Sequence, residues 1–300
     1  MSTTMTTPTA SQDAARFAGL RIAVLLPCYN EEKAIARVVA DFRQALPTAT
    51  IYVYDNNSRD QTMARATEAG AVVRRETLQG KGNVVRRMFA DVEADVYVLA
   101  DGDGTYDTAS VPSMVRRLCG EQLDMVVGCR VDQQAEAYRP GHRLGNALFT
   151  GFVAHLFGDR FSDILSGYRV FSRRYVKSFP ALTKGFEIET ELTVHALELR
   201  MPIAEINTPY GARPTGSVSK LRTYHDGVRI LGTIAKLFVH ERPLVFFSSM
   251  FLLLAFVSVV LAYPVVVTFI ETGLVPRLPT ASLSTVLMLL SSIPAAYVLS

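Results

Sequence analysis

Apolar and polar residues follow two alternating patterns over the first 130 positions of the chain. Short apolar runs rich in β-favouring residues predict five buried strands, at residues 21–26, 50–54, 71–74, 97–100 and 124–128. Between them, apolar residues recur every three or four positions and predict helices, the first carrying Ile35, Val38, Val39, Phe42 and Leu46. Alternating strands and helices favour an α/β fold, a mostly parallel sheet with helices on both faces.

Residues typical of helix N-termini precede the first two predicted helices. Asn30 is expected to cap the first helix, and Glu31 and Glu32 suit its positive end. Ser58 and Gln61 form a capping-box pattern before the second helix. We therefore expect each helix to begin a few residues after the end of a strand.

The pattern changes after residue 243. Residues 244–270 are continuously apolar or small, which exceeds the ~20 residues needed to span a bilayer, and residues 281–300 form a second predicted span. Residues 213–242 combine six basic and two acidic residues with apolar residues at helical spacing, which is typical of an amphipathic helix on an anionic membrane surface. Because this basic flank precedes the first span, we expect a multi-pass protein of the cell membrane with a cytoplasmic N-terminal domain.

Composition adds little to this division. The hydrophobic excess lies after residue 243, and a net charge of +3 is too small to indicate a nucleic-acid partner. Cys28, Cys119 and Cys129 lack metal-ligand spacing and are expected to be free thiols in a reducing compartment. The predicted parts are a disordered tail (1–19) that is not a signal peptide, an α/β domain (20–212), a juxtamembrane amphipathic segment (213–242) and a two-helix transmembrane region (243–300).

Two carboxylates follow the fourth predicted strand, in the sequence Asp101-Gly102-Asp103. A buried strand that ends in this way places both carboxylates at the rim of the sheet, where open α/β sheets bind ligands. Two hard carboxylates suit Mg²⁺ or Mn²⁺, which take few protein ligands and share their coordination with substrate phosphates. Taken alone, the same residues also fit a polar turn that ends a strand.

Other strand ends bring Tyr29 and Asp55 to the same rim. Lys81 lies between Gly80 and Gly82 just before a predicted helix, an arrangement that offers a cation and backbone N–H groups to phosphates. The alternative is a turn with a solvated lysine. The glycine spacing differs from that of a P-loop.

Five motifs in order resemble a known family. The first three are Pro27-x-Tyr29-Asn30-Glu31-Glu32, then Asp55 with Ser58 and Asp60-x-Thr62, then Asp101-x-Asp103, and they resemble family 2 glycosyltransferases of the GT-A fold. The last two are Ser162-Asp163-x-x-Ser166-Gly167-Tyr168-Arg169 and Tyr210-x-x-Arg213-x-x-Gly216-Ser217-x-Ser219-Lys220, and they resemble the dolichyl- and polyprenyl-phosphate hexose (mannose or glucose) synthases. The resemblance covers residues 20–240.

The chain departs from the family pattern at two positions. Asn56 stands where the family often has a second Asp, and Thr105 stands where some members have a metal-contacting Gln. The chain also has no Trp and hence no Gln-x-x-Arg-Trp motif, so processive polysaccharide synthesis is not expected.

The resemblance implies inverting transfer of a hexose from a nucleoside diphosphate sugar, of the UDP-glucose or GDP-mannose type, to a polyprenyl phosphate. It implies Mg²⁺ or Mn²⁺ held by Asp101 and Asp103, and a nucleoside held by Pro27, Tyr29, Glu31 and Asp55. The donor site would also include Lys81, Ala100 and Gly102, the sugar would be reached by Glu191, and phosphates would face Arg130, Arg213 and Lys220. Catalytic roles would fall to Asp103, Asp163 and Arg169.

Several alternatives stay open at this stage. Asp163 is either a general base or the residue that orients an arginine such as Arg169. Glu191 is either a sugar ligand or a partner of a helix N-terminus, and a helix predicted at 138–158 lies either near the lipid acceptor or on an ordinary surface. The acceptor could be another lipid or a protein, the protein could bind nucleotide sugars without catalysis, and a homo-oligomer is left open.

Overall fold

Seven strands form one mixed sheet in the N-terminal part of the chain. They are β1 (Ile22–Cys28), β2 (Thr50–Asp55), β3 (Val72–Arg75), β4 (Val96–Leu99), β5 (Met125–Asp132), β6 (Arg169–Ser172) and β7 (Ile203–Tyr210). The helices are α1 (Ile35–Ala45), α2 (Thr62–Glu68), α3 (Lys81–Asp91), α4 (Val111–Gly120), α5 (Arg173–Ser178), α6 (Ile188–Glu198), α7 (Pro243–Thr272) and α8 (Leu278–Leu299). A computed structural model of the chain describes residues 17, 19–132, 163–185, 187–211, 232, 239 and 243–299.

The strand order in the sheet is β3-β2-β1-β4-β6-β5-β7. Among these described strands, β6 alone runs against the others, pairing antiparallel with β4 on one side and with β5 on the other. The remaining pairs, β1 with β2 and β4, β2 with β3, and β5 with β7, are parallel. The predicted α/β class and mostly parallel sheet are therefore confirmed.

All five strands predicted from the sequence are present, with ends shifted by at most four residues. Two further strands, β6 and β7, were not predicted. β6 has only four residues and begins with a charged one, Arg169. β7 carries Glu205 and Asn207 as well as Pro209, which is tolerated because β7 is an edge strand.

Parallel pairing brings the ends of β1, β2 and β4 to one edge of the sheet. Cys28, the last residue of β1, pairs with Asp55, the last residue of β2. On the other side of β1, Leu25 pairs with Leu99 at the end of β4. The polar residues that follow these strands are therefore neighbours in space, although they are far apart in sequence.

Buried side chains of β1 and helix α1 form the hydrophobic core next to this edge of the sheet. β1 is buried over its whole length, and helix α1 packs one face of buried side chains, Ile35, Val38, Val39 and Phe42. Burial of each such side chain stabilises the fold by about 1.5–3 kcal/mol. The loops that carry the polar residues are thus anchored at both ends by rigid elements.

The predicted helix caps are wrong. Ala34, not Asn30, is the N-cap of α1, and the backbone N–H of Ile35 donates to the carbonyl of Glu31 at 3.0 Å. The capping box before α2 is absent, because Gln61 is itself the N-cap and makes no side-chain cap bond. The side chains of Asn30 and Ser58 each bind the neighbouring loop instead.

The contacts divide the chain into two units, Met1–Thr233 and Ile234–Ser300. In the second unit, α7 is the only helix of the described chain that is long and apolar enough to cross a membrane. α7 and α8 pack on each other, and the buried hydroxyl of Ser258 donates to the carbonyl of Ser284 at 2.7 Å. The first predicted span, α7, is thus long and apolar enough to cross a membrane, whereas a second span at α8 stays a prediction.

Several sequence predictions lie outside the described residues. These are the tail before residue 17, the helix at 138–158, and the amphipathic segment at 213–242 apart from residues 232 and 239. Arg213 and Lys220 belong to this group.

Candidate active site

The two carboxylates after β4 lie over the end of β1. Asp103 is buried, and its Oδ1 accepts hydrogen bonds from the backbone N–H of Thr105 at 3.1 Å and from its hydroxyl at 2.6 Å. The side chain of Asp101 is 30% exposed. Gly102 is required between them, because a side-chain carbon added there would lie 2.3 Å from Sγ of Cys28. Thr105, one of the two departures from the family pattern, thus holds the carboxylate of Asp103 in place through these two hydrogen bonds.

The thiol of Cys28, at the end of β1, lies near several carboxylates. Burial raises the pKa of Cys28 well above its ordinary value. Four nearby carboxylates raise this pKa further, those of Glu31, Asp55, Asp101 and Asp103. The structure thus brings together four of the acidic residues that the sequence singled out.

Lys81 is the first residue of α3, and its ammonium lies between two carboxylates. Its Nζ contacts Asp101 and lies 2.6 Å from Oε1 of Glu189. Burial lowers the pKa of Lys81, but Asp101 and Glu189 outweigh that effect and raise the pKa above its ordinary value. Lys81 is therefore charged and buried, which excludes the alternative of a solvated lysine in a turn.

The two glycines that flank Lys81 serve a different purpose from the predicted one. The N–H of Gly80 donates to Oδ1 of Asn56 at 2.7 Å, and the N–H of Gly82 donates to the carbonyl of Lys184 at 3.1 Å. A side-chain carbon at either glycine would lie 2.2 Å from a carbonyl oxygen, that of Lys184 or of Thr183. The glycines admit a neighbouring loop, so their N–H groups are not offered to phosphates, and this part of the prediction is corrected.

Asn56 connects the end of β2 to the loop that carries Lys81. Its Nδ2 donates to the carbonyls of Glu76 at 3.0 Å and Leu78 at 2.8 Å. Its Oδ1 accepts from the backbone N–H of Gly80 and from the side chain of Gln79 at 3.2 Å. An Asp at this position would lose both donated bonds, so the second departure from the family pattern also has a structural role.

The loops after β1 and β2 are tied together by side chain-to-backbone hydrogen bonds. The N–H groups of residues 30, 31 and 32 donate to the side chains of Ser58, Thr62 and Asp60 at 2.8, 2.9 and 3.2 Å. In return, Asn30 accepts from the N–H of Arg59 at 2.8 Å. The residues predicted to cap helices thus fix the two loops that flank the carboxylate group.

Asp55 faces this region with one oxygen unsatisfied. Its Oδ2 accepts from the N–H of Ser58 at 3.0 Å, while Oδ1 is buried without a hydrogen-bond partner in the described part of the chain. An unpaired buried acceptor is costly, so such an atom is a candidate ligand contact. Pro27 is buried beside it in β1, Tyr29 is half-buried, and Ala100 is held to Leu25 by a backbone bond of 3.2 Å.

A second charged pair lies where β5 meets the segment before β6. Arg130 binds both oxygens of Asp163, with Nε to Oδ2 at 2.7 Å and Nη2 to Oδ1 at 2.8 Å. Burial raises the pKa of Asp163, but its hydrogen bonds to Arg130 outweigh that effect and leave the pKa below its ordinary value. Asp163 is therefore poorly suited to act as a general base.

Asp163 was expected to be either a general base or the residue that orients an arginine such as Arg169, and the arginine that it holds is Arg130. Arg169 is fully buried, and its guanidinium donates to the carbonyls of Ser166, Ile164 and Glu189 at 2.7–3.0 Å. A guanidinium with its donors committed to backbone carbonyls supports the fold of the segment. Asp163 orients Arg130 instead.

Of the carboxylates on α6, Glu189 reaches Lys81, a contact that was not predicted from the sequence. Its Oε2 is buried without a hydrogen-bond partner in the described part of the chain. Glu191, the predicted sugar contact, accepts from the N–H groups of Leu182 at 2.6 Å and Thr183 at 2.9 Å. Glu191 therefore holds the loop that packs on Gly82.

The residues at this edge fit a divalent cation through their chemistry. Asp101 and Asp103 supply hard oxygen donors, and the side chain of Asp101 is partly exposed to solvent. No group of three or more His, Cys, Asp or Glu side chains within the described ranges forms a complete metal site. This arrangement suits an ion that completes its coordination with substrate phosphates and water.

Comparisons with known proteins identify the family. The family model "Glycosyl transferase family 2" matches residues 23–179. The chain is 34% identical over 230 residues to glycosyltransferase AglJ of Haloferax volcanii, covering 76% of this chain and 75% of that protein. It is 29% identical over 221 residues to a dolichyl-phosphate hexose transferase of the same organism, covering 74% and 95%.

A solved structure shares the fold. Glucosyl-3-phosphoglycerate synthase from Mycobacterium tuberculosis, in complex with Mn²⁺, UDP and glucosyl-3-phosphoglycerate, superposes with a TM-score of 0.63 at 25% identity, covering 78% of this chain and 86% of that one. The chain therefore belongs to glycosyl transferase family 2. It is a glycosyltransferase with a GT-A fold.

Proposed function

We propose that the protein transfers a hexose, with inversion, from a nucleoside diphosphate sugar to a polyprenyl phosphate at the cytoplasmic face of a membrane. One observation carries the proposal: the carboxylates of Asp55, Asp101 and Asp103 converge at one sheet edge in a chain that also has a 30-residue apolar helix. The dolichyl-phosphate hexose transferase among the relatives supports the lipid acceptor.

The donor nucleotide would lie over the ends of β1 and β2. Asp55 offers a buried acceptor atom to an N–H of the base, and Pro27, Tyr29 and Glu31 complete that side of the pocket. The rigid loops at 30–32 and 58–62 pre-organise the contact, which lowers the entropy lost on binding. The nucleotide is of the UDP or GDP type, and the sugar is glucose or mannose.

The diphosphate would lie over the end of β4. Asp101 and Asp103 would hold Mg²⁺ or Mn²⁺, which supplies positive charge for the diphosphate leaving group. Lys81 adds a fixed ammonium beside Asp101. Ala100 and Gly102 have small side chains or none, so the ligand would approach the backbone closely there. These residues hold charge in place rather than transfer protons.

The acceptor needs little activation. A phosphate monoester has a second pKa of about 6, so it is already a nucleophilic anion at pH 7. Asp163 then has no proton to remove, and its function is to present Arg130 to a phosphate. Arg213 and Lys220 are proposed to complete the phosphate contacts. The loop that Glu191 holds is proposed to line the part of the pocket that receives the sugar.

A transfer assay tests the proposal. The full chain, reconstituted in bilayers, is given radiolabelled UDP-glucose or GDP-mannose with Mn²⁺ and either polyprenyl phosphate or diacylglycerol. We expect a metal-dependent, acid-labile glycolipid from polyprenyl phosphate, and none from Asp103→Asn. Product from diacylglycerol alone would assign another acceptor, and absence of transfer with nucleotide sugar still bound would indicate a non-catalytic binding protein.

A further inference from the structure

The site is built from two halves that come from distant parts of the chain. One half is Asp101 with Lys81, at the ends of β4 and the start of α3. The other half is Asp163 with Arg130, at β5 and the segment before β6. Phosphoryl and glycosyl transfer depend on the distance between such groups, since a displacement of 1 Å can lower the rate by orders of magnitude.

Gly167 is where the second half touches the first. A side-chain carbon added at Gly167 would lie 3.0 Å from Nζ of Lys81, 3.1 Å from Oδ2 of Asp101 and 3.3 Å from the hydroxyl of Tyr106. The backbone of Gly167 therefore lies directly against these three polar groups. Gly167 is four residues from Asp163, and the hydroxyl of its neighbour Ser166 donates to the carbonyl of Gly128 on β5, the strand that carries Arg130, at 2.6 Å.

Tyr106 fixes Gly167 at this point. The Tyr106 hydroxyl accepts a hydrogen bond of 2.9 Å from the backbone N–H of Gly167. The ring is held on two sides, stacked on Tyr168 with centroids 5.0 Å apart and in edge contact with Tyr210 at 5.5 Å. Because the ring is held by these two contacts, the position of its hydroxyl is fixed as well.

The same aromatic group also contacts the second half directly. The guanidinium of Arg130 lies 5.6 Å from the ring centroid of Tyr210, within cation–π distance. A backbone bridge joins Tyr106 to Tyr210, and the N–H of Gly211 donates to the carbonyl of Thr105 at 2.9 Å. Tyr106 is thus linked to both halves, through Gly167 and through Tyr210.

We propose that Tyr106 is a positioning residue that sets the spacing between the metal-binding carboxylate Asp101 and the Asp163–Arg130 pair, acting through the N–H of Gly167. This inference rests on the proposed function, because it assigns the two halves to the donor diphosphate and to the acceptor phosphate. Tyr106 transfers no proton and forms no bond with the sugar.

The chain supplies a matched control. Tyr97 lies on β4, is buried, and its hydroxyl accepts a hydrogen bond of 2.9 Å from the backbone N–H of Ala94. Tyr106→Phe and Tyr97→Phe each remove a hydroxyl that accepts a backbone N–H, one inside the site and one away from it. Tyr97→Phe also removes a bond of 3.1 Å that the hydroxyl donates to the carbonyl of Val92. A purely structural role for Tyr106 would give its variant no greater loss of Mn²⁺ affinity or kcat than Tyr97→Phe shows.

The experiment measures Mn²⁺ binding alone by calorimetry, then kcat, the donor KM and the melting temperature, for the wild type and both variants. We expect Tyr97→Phe to lower the melting temperature at least as much as Tyr106→Phe does. Tyr106→Phe alone should bind Mn²⁺ at least about tenfold more weakly and lower kcat at least about tenfold, as supporting groups of metal ligands do. Mn²⁺ affinity and kcat equal to those of Tyr97→Phe would overturn the inference.

A second variant guards against an unfolded Tyr106→Phe. Gly167→Ala keeps Tyr106 but places a methyl group among Lys81, Asp101 and the hydroxyl, so it should reproduce the loss of Mn²⁺ affinity. Wild-type affinity in Gly167→Ala would also contradict the inference. A wild type that binds Mn²⁺ but transfers no sugar would instead refute the proposed function and leave the binding comparison valid.

Discussion

Arg130 holds Asp163 in a two-point contact, with its side chain 16% exposed and that of Asp163 8% exposed. The pKa of Asp163 is lowered because the hydrogen bonds and charge of Arg130 outweigh the effect of burial. A carboxyl whose pKa is lower in the folded state than in the unfolded state stabilises the fold at pH values above its unfolded pKa. That contribution is lost as the pH falls through the folded pKa.

The first prediction concerns Asp163→Asn and pH. The substitution breaks the two-point ion pair between Asp163 and the largely buried guanidinium of Arg130, so the free energy of unfolding should fall by about 3–5 kcal/mol at pH 6–8. The difference from wild type should shrink as the pH falls below about 4, the ordinary pKa of an unfolded Asp, and on through the lower pKa of folded Asp163. Urea unfolding between pH 3 and pH 8 measures the free energy of unfolding of the variant and the wild type. Asp95→Asn is the control, because Asp95 forms a similar but more exposed pair with Arg21 and should lose no more than about 1 kcal/mol. A constant difference down to pH 3 would contradict the lowered pKa.

The second prediction concerns Lys81→Met. Without the ammonium, Asp101 and Glu189 face each other uncompensated, so the metal-free protein should lose about 3–5 kcal/mol of stability. Because a divalent cation on Asp101 would restore positive charge, Mn²⁺ should raise the melting temperature of the variant more than that of wild type. Differential scanning calorimetry measures both effects. Lys33→Met, at an exposed position nearby, serves as control. Equal Mn²⁺ effects in variant and wild type would separate Lys81 from the metal site.

Much of this fold was predictable because each of the first five strands is an apolar run between helical patterns. The strand β6 was not, because its first residue, Arg169, is buried by bonds to carbonyls that only the tertiary structure supplies. Inserting β6 between β4 and β5 turns a predicted parallel array into a mixed sheet.

The candidate site divides in the same way. Asp55 and Asp101 could be identified because each directly follows a strand, and parallel strands end at one edge. The partner of Lys81 could not, since Glu189 lies 108 residues away on a helix that is buried on all sides. The glycines beside Lys81 were misinterpreted because the loop that they admit is also distant in sequence.

The third prediction concerns Asn56→Asp, which introduces the residue that many family members have. The change removes two hydrogen bonds donated to backbone carbonyls and places a negative charge beside them. We expect a loss of about 1–3 kcal/mol of stability. We also expect a lower kcat/KM, because the loop that carries Lys81 loses its support. Chemical denaturation and donor kinetics measure these effects. The neighbouring Asn57→Asp, at an exposed pair of bonds, should change stability less. Equal effects at the two positions would argue against a special role for Asn56.

The fourth prediction concerns Asp101→Asn and Asp103→Asn. Both substitutions conserve shape, and an Asn at 103 can still accept from Thr105, so the variants should fold. Transfer that depends on Mg²⁺ or Mn²⁺ should be abolished in each, because an amide is a poor ligand for a hard cation. Metal titrations followed by the glycolipid assay measure this loss. Full wild-type transfer in the presence of a chelator would refute the assignment of the metal to this pair.

The last prediction concerns membrane topology. Helix α7 has 30 residues, and at 1.5 Å per residue it is ~45 Å long, more than the ~30 Å hydrocarbon core requires. A reporter fused at the N-terminus and one inserted in the loop at residues 273–277 should therefore lie on opposite sides of the membrane. A third reporter after residue 300 should return to the side of the N-terminus if α8, with 22 residues, also spans. Accessibility of each reporter to a membrane-impermeant reagent measures the arrangement. The first two reporters on one side would rule out a span at α7, and the second and third on one side would leave α7 as a single span.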